Sequence, residues 1–194
     1  MKHCSMILAL TGGCLVSACA AAVKNIDLQY LFAKPAEHIT FESSSSEKTS
    51  ENIAGLRNFT AQTLSGDTVT ADLFADADVT ALYIWASDSA PSVKALPELA
   101  DYAKTLPENV RLVTWCMDAE NADKSLLADY LAACGITGTT LISAEGDLRS
   151  LGSMLQSAPA TVFVDANGVL NAAPVIGADH LTQDISERLA NILN

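Results

Sequence analysis

The chain has few of the residues that redox and metal sites need. Its 194 residues include five cysteines and three histidines. No Cys-x-x-Cys motif occurs, and no group of cysteines and histidines has the spacing of a metal site. We therefore expect no bound metal and no cofactor.

Positive charge is also scarce. Lysine and arginine number 11 against 23 acidic residues, which gives a formal net charge of −12. Nucleic acids and anionic lipid headgroups would repel such a surface, so we expect neither as a partner. The acidic residues are spread through the chain, which is typical of a solvated protein surface.

The sequence begins with an apolar stretch that is too short to span a membrane. Lys2 precedes apolar residues at 6–10 and 15–16, small residues follow, and the first acid is Asp27. A basic start, a short apolar run and small residues at its end are typical of a secretory signal peptide. A weak transmembrane anchor or a buried helix is the alternative, and the length disfavours both.

The end of this stretch resembles a bacterial lipobox. Val16-Ser17-Ala18 precedes Cys19, and the resemblance implies cleavage of residues 1–18 and lipidation of Cys19. Ordinary cleavage after Ala18 or Ala20 is the competing interpretation. The lipid would anchor the chain to the cell envelope, facing the periplasm, and Ala20 after the cysteine favours the outer membrane. Cleavage removes Lys2 and no acid, so the charge becomes −13.

Residues 19–57 are predicted to be a tether that carries the lipid. The run at 42–51 is polar, has no apolar periodicity and offers little surface to bury. The segment 26–32 is more apolar. The sequence leaves open whether it forms a short helix or packs on the following domain.

Strand and helix patterns alternate from residue 58 to the end. Residues 59–64 and 68–70 flank a Gly66-containing turn and predict an opening β-hairpin. Apolar runs at 79–85 and 110–115 predict buried strands, and a helical stripe lies between them. We therefore expect an α/β sandwich over 58–194, with a mixed, mostly parallel sheet and helices on both faces.

Two segments of the predicted domain contain distinctive motifs. They are the sequence 83–92, YIWASDSAPS, with the Pro-Glu-Leu at 97–99, and the sequence 158–168, APATVFVDANG. The first resembles the active-site strand and helix, and the second the cis-proline loop, strand and turn, of TlpA-like thiol-disulfide oxidoreductases of the periplasm. With the hairpin at 59–70, the resemblance covers residues 58–194 and implies a thioredoxin fold with a cis Ala158–Pro159 bond.

The chain departs from that family at the reacting atoms. Ser89 and Ser92 occupy the positions of the two cysteines, Ala95 replaces an acid that assists proton transfer, and Asp88 replaces a tryptophan. Dithiol exchange needs a thiolate at the helix N-terminus and a second thiol to resolve the mixed disulfide. Serine provides neither, so the family's reaction is expected to be absent.

Ser89 has two other interpretations. As a nucleophile it would need a base within hydrogen-bond reach, and His180 is predicted to lie on the last helix, away from the motif. As a helix N-cap its hydroxyl would accept from a backbone N–H two or three residues on. We prefer the second interpretation.

The two cysteines of the predicted domain are not expected to pair. Cys116 ends a strand, whereas Cys134 ends a helix that runs about 18 Å towards the opposite edge of the sheet. Most free cysteines are buried apolar residues, and this is our interpretation of both. Cys116 as a reactive thiol at the edge of the site is the alternative.

These observations predict a redox-inactive, thioredoxin-like lipoprotein that binds a protein or an extended peptide in the envelope. The cis-proline either only holds the turn or also offers backbone for pairing with a peptide. The predicted binding residues are Trp85, Asp88, Ser89, Ala90, Pro91, Ser92, Ala158 and Pro159. The alternative function is a divergent thiol-disulfide oxidoreductase that uses Cys116.

Overall fold

A computed structural model describes residues 55–155 and 157–194. Its strands are β1 (Phe59–Gln62), β2 (Thr68–Val69), β3 (Val79–Trp85), β4 (Val110–Cys116), β5 (Thr140–Leu141), β6 (Glu145–Gly146), β7 (Ala160–Asp165) and β8 (Val175–Ile176). Its α-helices are α1 (Ala90–Ala103), α2 (Lys124–Ala133), α3 (Asp147–Met154) and α4 (Leu181–Leu193), and a short 3-10 helix covers Ala71–Phe74.

The central sheet has five strands in the order β5-β4-β3-β7-β8. β3 pairs in parallel with β4 from Val79 opposite Val110 to Trp85 opposite Cys116. β7 pairs antiparallel with β3, and β8 antiparallel with β7, so four of the five strands point the same way. The predicted mixed, mostly parallel sheet is confirmed.

Helices cover both faces of this sheet, as predicted. All seven residues of β3 are buried, which explains why that strand is continuously apolar in the sequence. Tyr83 and Trp85 belong to a core shared with α1, α2 and α4, whereas Leu82 and Ile84 pack with α3 and β1. Successive side chains of a strand point to opposite faces, so one strand supplies both cores.

The first two strands form the expected hairpin. β1 pairs antiparallel with β2, with Ala61 opposite Val69, and its first residues pair antiparallel with β6. These three short strands form a second sheet beside the central one.

Residues before the boundary predicted at residue 58 also pack on the domain. Leu56 is fully buried, and its N–H donates to the carbonyl of Gly168 at 2.6 Å. A Cβ on Gly55 would lie 2.5 Å from that same carbonyl oxygen, so only glycine fits this close approach. The predicted tether includes these residues because a short buried stretch has no periodicity. The predicted signal peptide, the predicted lipidation site at Cys19 and the rest of the predicted tether lie outside the described residues.

No helix within 55–155 or 157–194 has the length and apolar character needed to cross a membrane.

Candidate functional site

The serine motif, Ser89-Ala90-Pro91-Ser92, lies just after β3, at the start of α1. Ser89 occupies the N-cap position with extended backbone angles, and its carbonyl accepts the N–H of Val93 at 3.1 Å. Pro91 lies in the first turn of α1, where its missing N–H leaves no helical hydrogen bond unmade. The local sequence therefore starts a helix at this point without help from a side-chain cap.

The Ser89 hydroxyl contacts the cis-proline loop and not the helix. Its Oγ donates to the carbonyl oxygen of Ala158 at 3.2 Å, and the Ala158–Pro159 peptide bond is cis. No side-chain hydrogen bond caps α1, so the prediction that this hydroxyl would cap the helix is wrong. The tertiary fold brings the cis-proline loop against the motif, and the Ser89 hydroxyl is oriented towards the carbonyl of Ala158.

The eight predicted binding residues differ in exposure. Three are exposed: Asp88, Ala90 and Pro91. Ser89 and Ala158 are half-buried. Trp85, Ser92 and Pro159 are buried, so these three residues expose little side-chain surface to a ligand. Their side chains lie in the interior, one each from β3, α1 and the cis-proline loop, and they support the exposed residues of the site.

The side chain of Ser92, the second serine of the motif, points into the core. It is fully buried, and its Oγ has no hydrogen-bond partner within the described part of the chain. Its carbonyl accepts from the hydroxyl of Tyr83 at 2.9 Å. Ala95, one turn further along α1, is buried too and carries no acid. Among the described residues, no hydrogen-bond acceptor lies within reach of this hydroxyl.

A hydrogen-bonded group that the sequence analysis missed lies beside the motif. The carboxylate of Asp118 accepts from the Ser87 hydroxyl at 2.5 Å and from the Ser87 N–H at 3.0 Å. Cys116 donates its thiol to the same carboxylate at 3.1 Å. Asp118 thereby ties the loop after β3 to the loop after β4.

The register of the sheet explains this group. Trp85 lies opposite Cys116 in the parallel pair, so Ser87 and Asp118 each follow the last paired residue by two positions. Polar residues just beyond the carboxyl ends of adjacent parallel strands are the signal that would have identified them.

Cys116 is fully buried, and burial, with Asp118 and Asp88 nearby, raises the pKa of its thiol far above the ordinary value. Burial likewise raises the pKa of Cys134, which is not paired with Cys116. Since a thiolate is the nucleophilic form, both sites disfavour thiol chemistry near neutral pH.

Little in the motif supports other chemistry. Within the described chain, the Ser89 hydroxyl bonds to a carbonyl oxygen, which cannot act as a base. Of the residues that the structure describes, no three histidine, cysteine or acidic side chains are grouped closely enough to hold a metal ion. What the site offers is an exposed edge of small residues, with one hydroxyl and the backbone of a cis-proline loop.

Comparisons with known proteins give a fold and no family. No protein-family model matches the chain, and no curated protein matches it. Several solved structures are similar to it. A DsbF homologue from Corynebacterium diphtheriae has a TM-score of 0.54 at 18% identity, over 76% of this chain and 97% of that one.

Two further structures give the same result. The thioredoxin domain of a thiol-disulfide oxidoreductase from Bacteroides vulgatus has a TM-score of 0.54 at 13% identity, over 69% of this chain and 95% of that one. A secreted disulfide oxidoreductase of Mycobacterium tuberculosis has a TM-score of 0.50 at 21% identity, over 68% and 96%. The chain therefore has a thioredoxin-like fold, as the resemblance implied.

Proposed function

We propose that this chain is an envelope lipoprotein whose thioredoxin-like domain binds a protein or an extended peptide and performs no dithiol exchange. The observation that carries the proposal is the hydrogen bond from Ser89 to Ala158, which joins the serine motif to the cis-proline loop. The motif and the cis-proline loop are in contact although serine stands at both motif positions where TlpA-like proteins have cysteine.

The absence of exchange follows from the atoms in the motif. A serine hydroxyl forms no disulfide, and at neutral pH it is not ionised as a low-pKa thiol would be. Cys116, the thiol at the end of β4, is buried, and burial together with the neighbouring Asp118 raises its pKa. These facts weigh against the alternative, a divergent oxidoreductase that works through Cys116.

Binding is supported by the surface around the motif. Asp88, Ala90 and Pro91 are exposed beside the half-buried Ser89 and Ala158. No residue of the described chain accepts a hydrogen bond from the Ala158 N–H. An extended peptide could pair with this backbone as an added strand does, and gain affinity from main-chain hydrogen bonds.

The envelope location rests on the first residues and on a likeness. The lipobox-like sequence ending at Cys19 implies a lipid anchor, and one similar structure is described as a secreted protein. We propose a periplasm-facing anchor in the outer membrane. The mass of the N-terminal peptide tests the lipid anchor. Lipidation adds a diacylglyceryl group at Cys19, and the Cys19→Ala variant should lack that added mass.

Reduction of insulin by dithiothreitol tests the chemistry. We expect no catalysis by the native protein and measurable catalysis by the Ser89→Cys/Ser92→Cys double variant. Catalysis by the native protein that is lost in Cys116→Ala would establish the alternative function. Inactivity of both proteins, with the double variant correctly folded, would show that the surface between the serine motif and the cis-proline loop does not accommodate a disulfide substrate.

Site-specific cross-linking tests binding. A benzophenone amino acid placed at the exposed Ala90 should capture a defined partner in the intact envelope. The matched control is the same probe at Asp129, an exposed position on α2. Identical products from the two positions would contradict a binding site at the motif.

A further inference from the structure

The cis-proline loop leaves one main-chain donor free for a ligand. Within the described chain the Ala158 N–H has no acceptor, whereas the carbonyl of the same residue accepts from the Ser89 hydroxyl at 3.2 Å. The next carbonyl, that of Pro159, accepts the N–H of Gly177 at 2.8 Å. One neutral hydrogen bond contributes little net affinity. Side chains must therefore supply the rest of the affinity, and the selectivity, for a peptide bound at this loop.

Asp88 is the charged residue among the exposed members of the predicted binding surface. The other two exposed members, Ala90 and Pro91, have side chains without hydrogen-bonding groups. None of the ion pairs among the described residues involves Asp88. Its negative charge is therefore exposed beside the serine motif and available to a ligand.

A second carboxylate lies close to Asp88. Asp118 is exposed, takes no part in the ion pairs of the described residues, and accepts the N–H of Ser87, the residue before Asp88, at 3.0 Å. Burial raises the pKa of the Cys116 thiol, and the charges of Asp118 and Asp88 raise it further, so both carboxylates lie near the same sulfur atom. Neighbouring negative charges repel each other, and a cation placed between them relieves that repulsion.

The sheet brings these carboxylates and the free N–H to one edge. β4, β3 and β7 are neighbours, and β7 begins beside the end of β3, with Ala160 paired to Ile84. Asp118, Asp88 and Ala158 lie two or three residues beyond these strand ends. Neighbouring strands are about 5 Å apart, so the loops that carry Asp88 and Asp118 lie roughly one and two strand spacings from Ala158. A lysine or arginine side chain on a peptide that pairs with Ala158 spans such distances.

We propose that the peptide bound at this site carries a lysine or arginine, whose cationic group lies between Asp88 and Asp118 while the peptide backbone accepts the Ala158 N–H. This inference rests on the proposed function and names the class of its ligand, an extended cationic peptide. The formal net charge of −12 adds to the selection, because it attracts cationic partners and repels anionic ones over a longer range. The two carboxylates then fix where the cation is held.

Titration of the purified chain with three peptides, followed by nuclear magnetic resonance of the backbone amides, tests the proposal. The first peptide has the sequence Gly-Thr-Val-Lys-Val-Thr-Gly with blocked termini, and the other two have glutamine or glutamate in place of lysine. We expect the lysine peptide to shift the Ala158 amide resonance and to bind about three- to ten-fold more tightly than the glutamine peptide. The glutamate peptide should bind more weakly than both.

Substitutions of single acids separate the site from the overall charge. Asp88→Asn should reduce the preference for lysine over glutamine to about two-fold or less. The matched control is Asp129→Asn, the same substitution at an exposed acid on α2, which should keep the native preference. Asp88→Lys should abolish the preference, and the glutamate peptide should then bind at least as tightly as the lysine peptide.

Equal affinities of the native protein for the lysine and glutamine peptides would overturn this inference. A shift of the Ala158 resonance in both titrations would then leave the proposed binding function intact. A preference for lysine that is equally strong in Asp88→Asn and Asp129→Asn would also overturn the inference, and would assign the preference to the overall charge. If none of the three peptides shifts the Ala158 resonance, the inference and the proposed binding function both fail.

Discussion

The Ser89 hydroxyl donates to the carbonyl of Ala158, 69 residues further along the chain. This bond joins the N-cap of α1 to the residue before the cis-proline, and both residues belong to the proposed binding surface. At position 89, where TlpA-like proteins have a reactive thiol, this chain has a hydroxyl that makes a structural contact.

Replacing Ser89 with alanine should lower the free energy of unfolding by about 0.5–1.5 kcal/mol, the usual contribution of one hydrogen bond. Urea denaturation measures it. Ser125→Ala is the control, since Ser125 is exposed in the first turn of α2 and its hydroxyl makes no hydrogen bond in the described chain. Equal losses in the two variants would mean that the Ser89–Ala158 bond contributes nothing.

Replacing Ser92 with alanine should have the opposite outcome. Its hydroxyl is buried without a partner, so the folded state bears a desolvation cost that alanine removes. We expect an unfolding free energy equal to that of the native protein or higher by up to about 1 kcal/mol. A clear loss of stability in the same urea titration would show that the hydroxyl has a partner, such as a buried water.

Cys116 should resist alkylation in the folded protein. Its thiol is fully buried and donates to Asp118, so iodoacetamide should modify it only after unfolding in denaturant. Peptide mass spectrometry of native and denatured samples measures this. An Ala90→Cys variant supplies an exposed thiol as the positive control, and comparable rates at the two positions would refute burial as the protecting factor.

Stability should fall as the pH rises above about 9. Burial raises the pKa of Cys116, Cys134, Tyr83 and Tyr130, so the folded protein keeps protons that the unfolded chain releases. Each such group leaves stability intact below its unfolded pKa and reduces it by up to about 1.4 kcal/mol per pH unit above that value. Thermal unfolding between pH 8 and 11 measures the slope.

A Cys116→Ala variant identifies one source of that slope. It should show a shallower loss of stability between pH 9 and 11 than the native protein, although it is less stable at neutral pH. An unchanged slope would mean that the Cys116 thiol ionises as readily in the folded state as in the unfolded one.

The sequence predicted the fold well because its strongest signals are local. The apolar run at 79–85 and the stripe on α1 appear as a buried strand and an amphipathic helix. The cis bond at Ala158–Pro159 followed from a resemblance and is present. The packing of Leu56 on the domain was not predicted, because its contacts are with a distant turn, which no local pattern reveals.

The side-chain contacts of the site were not predictable in the same way. The nearby sequence predicts that residue 89 is a helix N-cap. The acceptor of its hydroxyl, however, lies on a loop far along the chain. The Ser87–Asp118 pair depends on the register between β3 and β4. Which motif residues face solvent depends on how α1 lies on the sheet.

The sequence by itself determined that the motif has no sulfur, because chemistry at a position depends first on which atoms are present. Only the tertiary structure decided where the remaining atoms go: Ser89 to the cis-proline loop, Ser92 into the core and Cys116 beneath Asp118. The physical reason is that burial and hydrogen-bond partners arise from long-range packing, whereas composition and periodicity record only near neighbours.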